Sequence, residues 1–185
     1  MAFAGQHRIG PEHGRLVVRT FREGVAAGVG HDLVLEITSW SAVITVDDDD
    51  ADTSVEATID LGTLVVRSGS GGAKALSDRD RREIGYNARK LLDTDHNPTA
   101  RFVSTKVTRT DGDGTIGGTL TIRGKDNPAT LQVSETEPGH YKATAKVRQT
   151  DYGIKPYTAF FGALKIKDEV EIEVEVDLSD LGSGS

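Results

Sequence analysis

The sequence predicts an all-β fold, an antiparallel eight-stranded barrel with one helix covering an end. The clearest observation behind this prediction is the segment from Glu169 to Leu178, where aliphatic and acidic residues alternate one by one. Side chains of a strand point to opposite faces in turn, so one face of this strand must be buried while the other is acidic and wet. Similar alternation recurs along the chain, with hairpin-sized links except around one helical segment, which favours an up-and-down antiparallel sheet.

Eight strands follow from the alternation. The second strand is unusually long, and its apolar phase slips at Thr38 and Ser39, so we expect a bend or bulge there, as closing barrels need. Residues 1–14 are predicted to be an arm without a regular element, because histidine, glycine and proline interrupt them. The predicted strands are 15–21, 31–46, 53–61, 101–108, 115–123, 129–134, 140–149 and 169–178.

One helix is predicted over Asp78–Leu92. Ser77 is a natural N-cap, and Asp80 follows three residues later, as in a capping box. The apolar residues of the helix form a single narrow stripe, made of Ile84, Ala88, Leu91 and Leu92. A helix with one apolar stripe can cover one surface, such as the end of a barrel.

Length and composition limit the possible functions. One domain is expected over 15–178 of the 185 residues, followed by a flexible tail at 179–185. The sequence has no cysteine, which excludes disulfides and thiolate chemistry, and its net charge of -7 argues against a nucleic-acid partner. No apolar run approaches the ~20 residues of a membrane span, and the first residues lack a signal-peptide pattern, so we expect a cytoplasmic location.

The motifs that could carry chemistry are weak. The run Asp47–Asp50 suggests a calcium loop, but the glycine and glutamate positions of such a loop are missing, which favours a solvated turn. The glycine-rich residues 68–72 lack the ending of a phosphate-binding loop, which favours a flexible loop. The five histidines show no zinc-ligand spacing. We therefore predict no catalytic residues, no metal and no cofactor, and do not expect an enzyme.

The side chains predicted to face the interior are aliphatic, and small residues are mixed among them. The small residues either leave space for one ligand or are overlapped by large neighbours in a solid core, and the sequence leaves both possibilities open. The predicted interior residues are Leu33, Leu35, Ile37, Ala57, Ile59, Phe102, Leu120, Ile122, Ala143, Ala145, Val147, Val170, Ile172 and Val174.

Several segments share a recognisable order and spacing. The most specific are Pro98–Thr105, with the pattern Pro-x-x-x-Phe-x-Ser-Thr, and Leu120–Gly124, which reads Leu-Thr-Ile-Arg-Gly. Together with Gly30–Leu33, Leu76–Asp80 and Gln149–Ile154, they resemble the YceI-like family of lipocalin-like, polyisoprenoid-binding proteins over about 15–178. The resemblance implies an extended barrel with an apolar tunnel for a long isoprenoid tail, and it brings no catalytic residues. Many members of that family are periplasmic and carry a leader, which we do not expect here.

The irregular segment from Gln149 to Phe161 is interpreted as a loop that presents a surface. An isoprenoid tail offers only CH groups, so selectivity has to come from polar groups at the mouth of the tunnel. Ordinary solvated cations remain the alternative for each charged candidate. The predicted mouth residues are Arg67, Lys74, Arg123, Gln149, Tyr152, Lys155, Tyr157, Phe160 and Phe161.

The sequence is compatible with two functions. The first is a carrier or store that binds a long-chain amphiphile in the barrel, such as a polyisoprenoid, a quinone or a fatty-acyl lipid. The second is a non-catalytic interaction or structural module with a solid core, in which the aromatic loop forms a homodimer face.

Overall fold

The computed structural model describes residues 4–182, which form strands around one helix. The helix is α1 (Asp78–Leu92), and short 3-10 turns join many of the strands. The strands are β1 (Gly5–Ile9), β2 (Gly14–Thr20), β3 (Arg22–Glu23), β4 (Asp32–Ile37), β5 (Trp40–Val46), β6 (Ser54–Asp60), β7 (Leu64–Ser70), β8 (Thr99–Thr110), β9 (Asp113–Ile122), β10 (Lys125–Glu137), β11 (His140–Arg148), β12 (Thr158–Ala159), β13 (Leu164–Ile166) and β14 (Glu169–Asp177).

Eleven strands form one strongly curled antiparallel sheet, in the order β1-β5-β6-β8-β9-β10-β11-β14-β2-β4-β7. β4 and β5 are consecutive parts of one run that bends at Thr38 and Ser39, where the sequence predicted it. β6 and β7 are likewise separated only by a short turn, and β4 pairs with β7 while β5 pairs with β6. The strand order therefore begins and ends in the same run: it passes from β5 round the sheet to β14, then through β2 to β4. A second sheet contains β12, β13 and β3.

The all-β class with one helix is confirmed, but the predicted count of eight strands differs from the eleven strands of the curled sheet. A bend divides the predicted strand 31–46 into β4 and β5, and β7 and β1 are two strands that were not predicted. The expectation that residues 1–14 hold no regular element is wrong for Gly5–Ile9, which pairs with β5. The free edge of β5 offers ladder hydrogen bonds, and Ile9 is buried, two tertiary effects that local composition does not reveal. In the predicted tail, Ser179–Gly182 forms a 3-10 turn, and its last three residues lie outside the described ones.

Helix α1 has the predicted bounds and the predicted cap. The Asp80 amide donates to Ser77 Oγ over 3.1 Å, and the Ser77 amide donates to the Asp80 carboxylate over 2.9 Å. Asp93 ends the helix in the left-handed conformation. The helix lies against β7, which places its apolar stripe over the interior of the curled sheet. In the part of the chain that the structure describes, no helix is long and apolar enough to cross a bilayer.

Strand β14 shows the predicted alternation, with one correction on its acidic face. Glu173 is only 6% exposed, although the pattern predicted a wet carboxylate. Arg19 Nε donates to Glu173 Oε2 over 3.1 Å, and Lys142 Nζ lies 3.4 Å from Glu173 Oε1. The hydrogen bond from Arg19 lowers the pKa of Glu173, against the opposing effect of burial. Burial of this carboxylate is tolerated because two cations from neighbouring strands pair with it.

Candidate ligand-binding cavity

The curled sheet, α1 and the small sheet enclose a cavity of about 650 Å³. Close-packed interiors have few voids larger than a water molecule, whereas small-molecule sites occupy roughly 300–1,000 Å³. A void of this size is therefore typical of a ligand site. Its wall is mainly apolar, with Leu16 and Val18 of β2 on one side and Leu91 and Leu92 of α1 on another.

Helix α1 forms part of this wall with its whole apolar stripe. Ile84, Ala88, Leu91 and Leu92 all line the cavity. The stripe therefore faces the void, and the helix covers an open interior rather than a solid core.

The interior is hollow in one region and solid in another. The predicted interior residues that line the cavity are Leu33, Leu35, Ile37, Ile59, Leu120, Ile122, Val147, Val170 and Ile172. The others, Ala57, Phe102, Ala143, Ala145 and Val174, lie away from it. A Cβ added at Gly118 would lie 2.6 Å from the Phe102 ring, so this ring already occupies the space that the glycine leaves. One part of the interior therefore has space for a ligand, and another part is a solid core.

The predicted mouth residues separate into two groups. Lys74, Gln149, Tyr152 and Tyr157 line the cavity. Tyr152 is 2% exposed and belongs to the packed wall, where burial raises the pKa of its hydroxyl. The remaining residues, Arg67, Arg123, Lys155, Phe160 and Phe161, lie outside the lining. The role of either group in binding stays a prediction.

The two arginines outside the lining have structural partners. Arg67 Nε donates to the Glu36 carboxylate, which also accepts from Arg15 over 3.3 Å. Arg123 donates from its guanidinium to the Gly153 carbonyl. Arg123 therefore holds the loop that follows β11, while Arg67 belongs to an ion-pair cluster of the β2, β4 and β7 surface.

Thr20 is a polar residue of the wall that the sequence prediction missed. Thr20 is 8% exposed and lines the cavity, and its hydroxyl has no hydrogen-bond partner. Its position follows from the alternation of β2, since Thr20 continues the inward phase of Leu16 and Val18. Gln149 lies in the same wall, and its Nε2 donates to the Lys167 carbonyl over 3.0 Å.

Titratable groups near the start of α1 also border the cavity, although the strand phases predicted none inside. They are His31, Lys74, Asp80 and Glu83. The His31 ring bonds to the Lys74 carbonyl over 2.7 Å, and Asp80 caps α1 through hydrogen bonds from Ser77 that lower its pKa. Across residues 4–182, no three His, Asp or Glu side chains are grouped so that they could hold a metal ion. The arrangement offers apolar volume with a few hydrogen-bonding groups, which suits a site for a small molecule.

The Asp47–Asp50 turn lies away from the cavity. The Arg109 side chain donates to the Asp50 carboxylate over 2.5 Å and to the Asp47 carbonyl over 2.6 Å. The hydrogen bonds that Asp50 accepts from the Arg109 side chain and from the Arg109 amide lower the pKa of Asp50. The turn is therefore closed by an arginine from β8.

Comparison with known proteins identifies a matching family and several similar structures. The YceI-like domain matches residues 8–178. The structure of BcnA from Burkholderia cenocepacia is similar, with a TM-score of 0.64 and 16% identity over 88% of this chain and 94% of that one. A polyisoprenoid-binding domain from Saccharophagus degradans, implicated in plant cell wall breakdown, has a TM-score of 0.56 and 11% identity over 94% and 97%. The Campylobacter jejuni YCEI protein has a TM-score of 0.55 and 18% identity over 77% and 81%.

These identities are low, so the solved structures establish a shared fold and nothing finer. A search of the curated proteins found no match. The domain match, in contrast, extends over nearly all of the described residues, from β1 to the end of β14. The chain therefore belongs to the YceI-like family.

Proposed function

We propose that this protein binds one long-chain amphiphile, a polyisoprenoid or a related lipid or quinone, and acts as its carrier or store. The observation that carries the proposal is the apolar cavity of about 650 Å³ between the curled sheet and α1. The polyisoprenoid-binding domain from Saccharophagus degradans has a similar fold, which supports the choice of ligand class. In this proposal the curled sheet works as a lipocalin-like barrel whose hollow region holds the tail.

A cavity of this kind should bind an isoprenoid tail with micromolar affinity. Each buried CH₂ group contributes about 0.8 kcal/mol, so three isoprene units of five carbons contribute roughly 12 kcal/mol. Association costs at least about 4 kcal/mol, which leaves about 8 kcal/mol and a dissociation constant near 1 μM. The tail alone discriminates poorly between ligands of similar girth, because one methylene changes the binding free energy little.

Polar selectivity would come from Thr20 and Gln149. Both lie beside the start of β14: Arg19, the neighbour of Thr20, pairs with Glu171, and the Gln149 amide donates to the Asp168 carbonyl over 2.9 Å. A buried hydroxyl without a partner is costly, and a ligand oxygen beside it would remove that cost. We therefore infer a ligand with a hydroxyl or carbonyl head group in preference to a bare hydrocarbon.

Filling the cavity tests the proposal. Ala88→Phe adds a ring to the α1 side of the void, where free volume accepts it with little strain. We expect the affinity for a fluorescent polyene, retinol, to fall at least about tenfold while the unfolding free energy changes by less than about 1.5 kcal/mol. Ala51→Phe, in an exposed turn, is the matched control and should bind normally. Unchanged retinol binding by a folded Ala88→Phe variant would contradict the proposal.

Identification of the natural ligand needs a separate experiment. Organic extraction of the purified protein followed by mass spectrometry should release an amphiphile with a long apolar tail. Protein that yields no lipid and takes up no retinol would overturn the proposed function. The cytoplasmic location expected from the sequence remains a prediction, which cell fractionation tests.

A further inference from the structure

Two neighbouring segments beside the cavity expose an unusual amount of apolar surface. Val25 is 97% exposed and Phe160 is 64% exposed, and Phe161 is fully exposed. The Ala26 amide donates to the Ala163 carbonyl over 2.9 Å, which holds the two segments together. We call this surface the apolar rim, and it consists of Val25, Val29, Tyr157, Phe160 and Phe161. Contiguous exposed apolar surface of this kind marks interaction sites.

The aromatic tip of the rim is held in a strained conformation. Phe160 and Phe161 have φ angles of 52° and 56°, in the left-handed region that bulky residues rarely adopt. Asp93 and Arg123, which share this feature, lie at a helix end and in a two-residue hairpin turn. The two phenylalanines gain no burial in return for the strain. Strain that persists without local compensation is typical of functional positions.

The rim is continuous with the cavity. Val29 and Tyr157 are exposed to solvent, yet both also line the cavity. Leu164 and Ile166 of β13, in the same small sheet, line it as well. The apolar rim therefore borders an entrance through which a tail could pass.

Positive charge surrounds this entrance. Residues 155–167 contain Lys155, Lys165 and Lys167 and no acidic residue, although the whole chain carries a net charge of -7. All three lysines are exposed. The adjoining elements carry three acidic groups, Glu23, Asp32 and Asp168. Glu23 lies opposite Lys165 in the β3–β13 pairing, and Asp32 pairs with Arg22. Asp168 accepts hydrogen bonds from Thr150. The local balance is positive, whereas the net charge of the whole chain is negative.

We propose that the apolar rim docks on the surface of an anionic lipid bilayer, with Phe160 and Phe161 inserted at the boundary of head groups and acyl chains. The three lysines would contact the lipid head groups, as basic residues beside an inserted apolar surface do. The proposal rests on the proposed function in one respect: an amphiphile taken from a bilayer would enter the cavity without crossing water. A second copy of the chain suits the rim less well, because two rims that face each other bring their lysines together.

Vesicle flotation tests the docking surface. The full chain should float with vesicles of phosphatidylcholine mixed with about one-third phosphatidylglycerol, and weakly with phosphatidylcholine alone, because anionic head groups attract lysine. Phe160→Ser with Phe161→Ser should lower the partition coefficient at least about tenfold, since both rings lose their apolar contact with lipid. Tyr86→Ser, at an exposed aromatic residue of α1, is the matched control and should float like the unchanged protein.

The charge requirement is tested separately. Lys155→Gln with Lys165→Gln should lower the partition coefficient about 30-fold, because each lysine near an anionic surface contributes about 1 kcal/mol, or about fivefold. Lys90→Gln with Lys106→Gln, at exposed lysines outside the rim, should change it little apart from the shift in net charge. Equal losses in the two pairs would contradict a localised docking face.

Retinol binding in solution distinguishes this inference from the proposed function. The rim variants should still bind retinol at equilibrium, but they should acquire it more slowly from vesicles. Protein that binds retinol and never floats with anionic vesicles overturns the docking surface alone. Loss of retinol binding in Ala88→Phe together with normal flotation leaves the docking surface standing. Concentration-dependent dimers that disappear in the Phe160 and Phe161 variant would identify the rim as a contact between copies and overturn the bilayer proposal.

Discussion

Replacement of Thr20 by valine tests the most specific feature of the cavity. The two side chains have nearly the same shape, so Thr20→Val removes the buried hydroxyl and leaves the wall otherwise intact. A buried hydroxyl without a partner costs about 1–3 kcal/mol. The Thr20 hydroxyl is such a group, so we expect the variant to be more stable by about 1–2 kcal/mol. For a chain of this size that is a rise in Tm of roughly 2–8 °C.

Ligand binding should change in the opposite direction. The variant loses one hydrogen bond to the ligand head group, worth about 0.5–1.5 kcal/mol, so affinity for an alcohol should fall about 2- to 13-fold. A hydrocarbon of the same length should bind as well as before or better. Displacement of retinol by farnesol, an isoprenoid alcohol, and by the related hydrocarbon farnesene gives the two affinities. Urea unfolding without ligand gives the stability.

A threonine with partners provides the control. The Thr63 hydroxyl donates to the Asp60 carbonyl over 2.8 Å and accepts from the Ser39 amide over 3.0 Å. Thr63→Val should therefore destabilise the protein and leave both ligands unaffected. A Thr20→Val variant that is no more stable than the unchanged protein would contradict the cost assigned to the buried hydroxyl. Equal losses of affinity for farnesol and farnesene would contradict its contact with the ligand head group.

Three further predictions concern stability. The Arg19 hydrogen bond holds the pKa of Glu173 below its ordinary 4.5, so its stabilisation is complete above that pH and is lost as pH falls through the lowered value. In Glu173→Gln, the unfolding free energy should therefore fall less steeply as pH is lowered below 4.5. The exposed control Glu169→Gln should keep the pH dependence of the unchanged protein. Ser77→Ala removes the N-cap of α1 and should cost about 1 kcal/mol in urea unfolding, while an unchanged midpoint would count against the cap. Millimolar calcium should leave Tm unchanged because Arg109 occupies the Asp50 carboxylate, and a clear rise in a thermal scan would contradict this.

The strands and their inward faces could be predicted because a half-buried strand has a strict period of two. A shift of one residue would turn every side chain of β14 to the wrong face, so the pattern fixes the register. The observed pairing of Ala145 with Ile172, and of Val147 with Val170, keeps aliphatic residues together across β11 and β14. The strand count is less predictable, because it depends on where long runs bend and on whether a short segment such as β1 finds a free edge.

The extent of the cavity could not be predicted from one strand at a time. Gly118 and Ala88 are both small, but the Phe102 ring fills the space beside the glycine, whereas Ala88 faces the void. The difference lies in the neighbouring strand: β8 carries Phe102 two positions before Ser104, which pairs with Gly118 of β9. Thr20 is a different case, since the phase of β2 would have placed its hydroxyl inside had it been followed one step past Val18.

The hollow interior makes the stability of α1 depend on its cap and on the ligand. A helix of this length normally gains most of its stability from the packing of its apolar face. The stripe of α1 borders a void, so without ligand it gains less from packing than a stripe that meets a solid core. The capping box of Ser77 and Asp80 stabilises the helix without any interior contact, and therefore acts equally in the empty and the filled protein. A ligand that fills the cavity adds the missing contacts, and by mass action it stabilises the folded chain through the same helix. The strength of the cap thus determines how well α1 is formed before the ligand binds. With a weakened cap, part of the binding free energy of retinol would be used to order α1, so the affinity for retinol should fall.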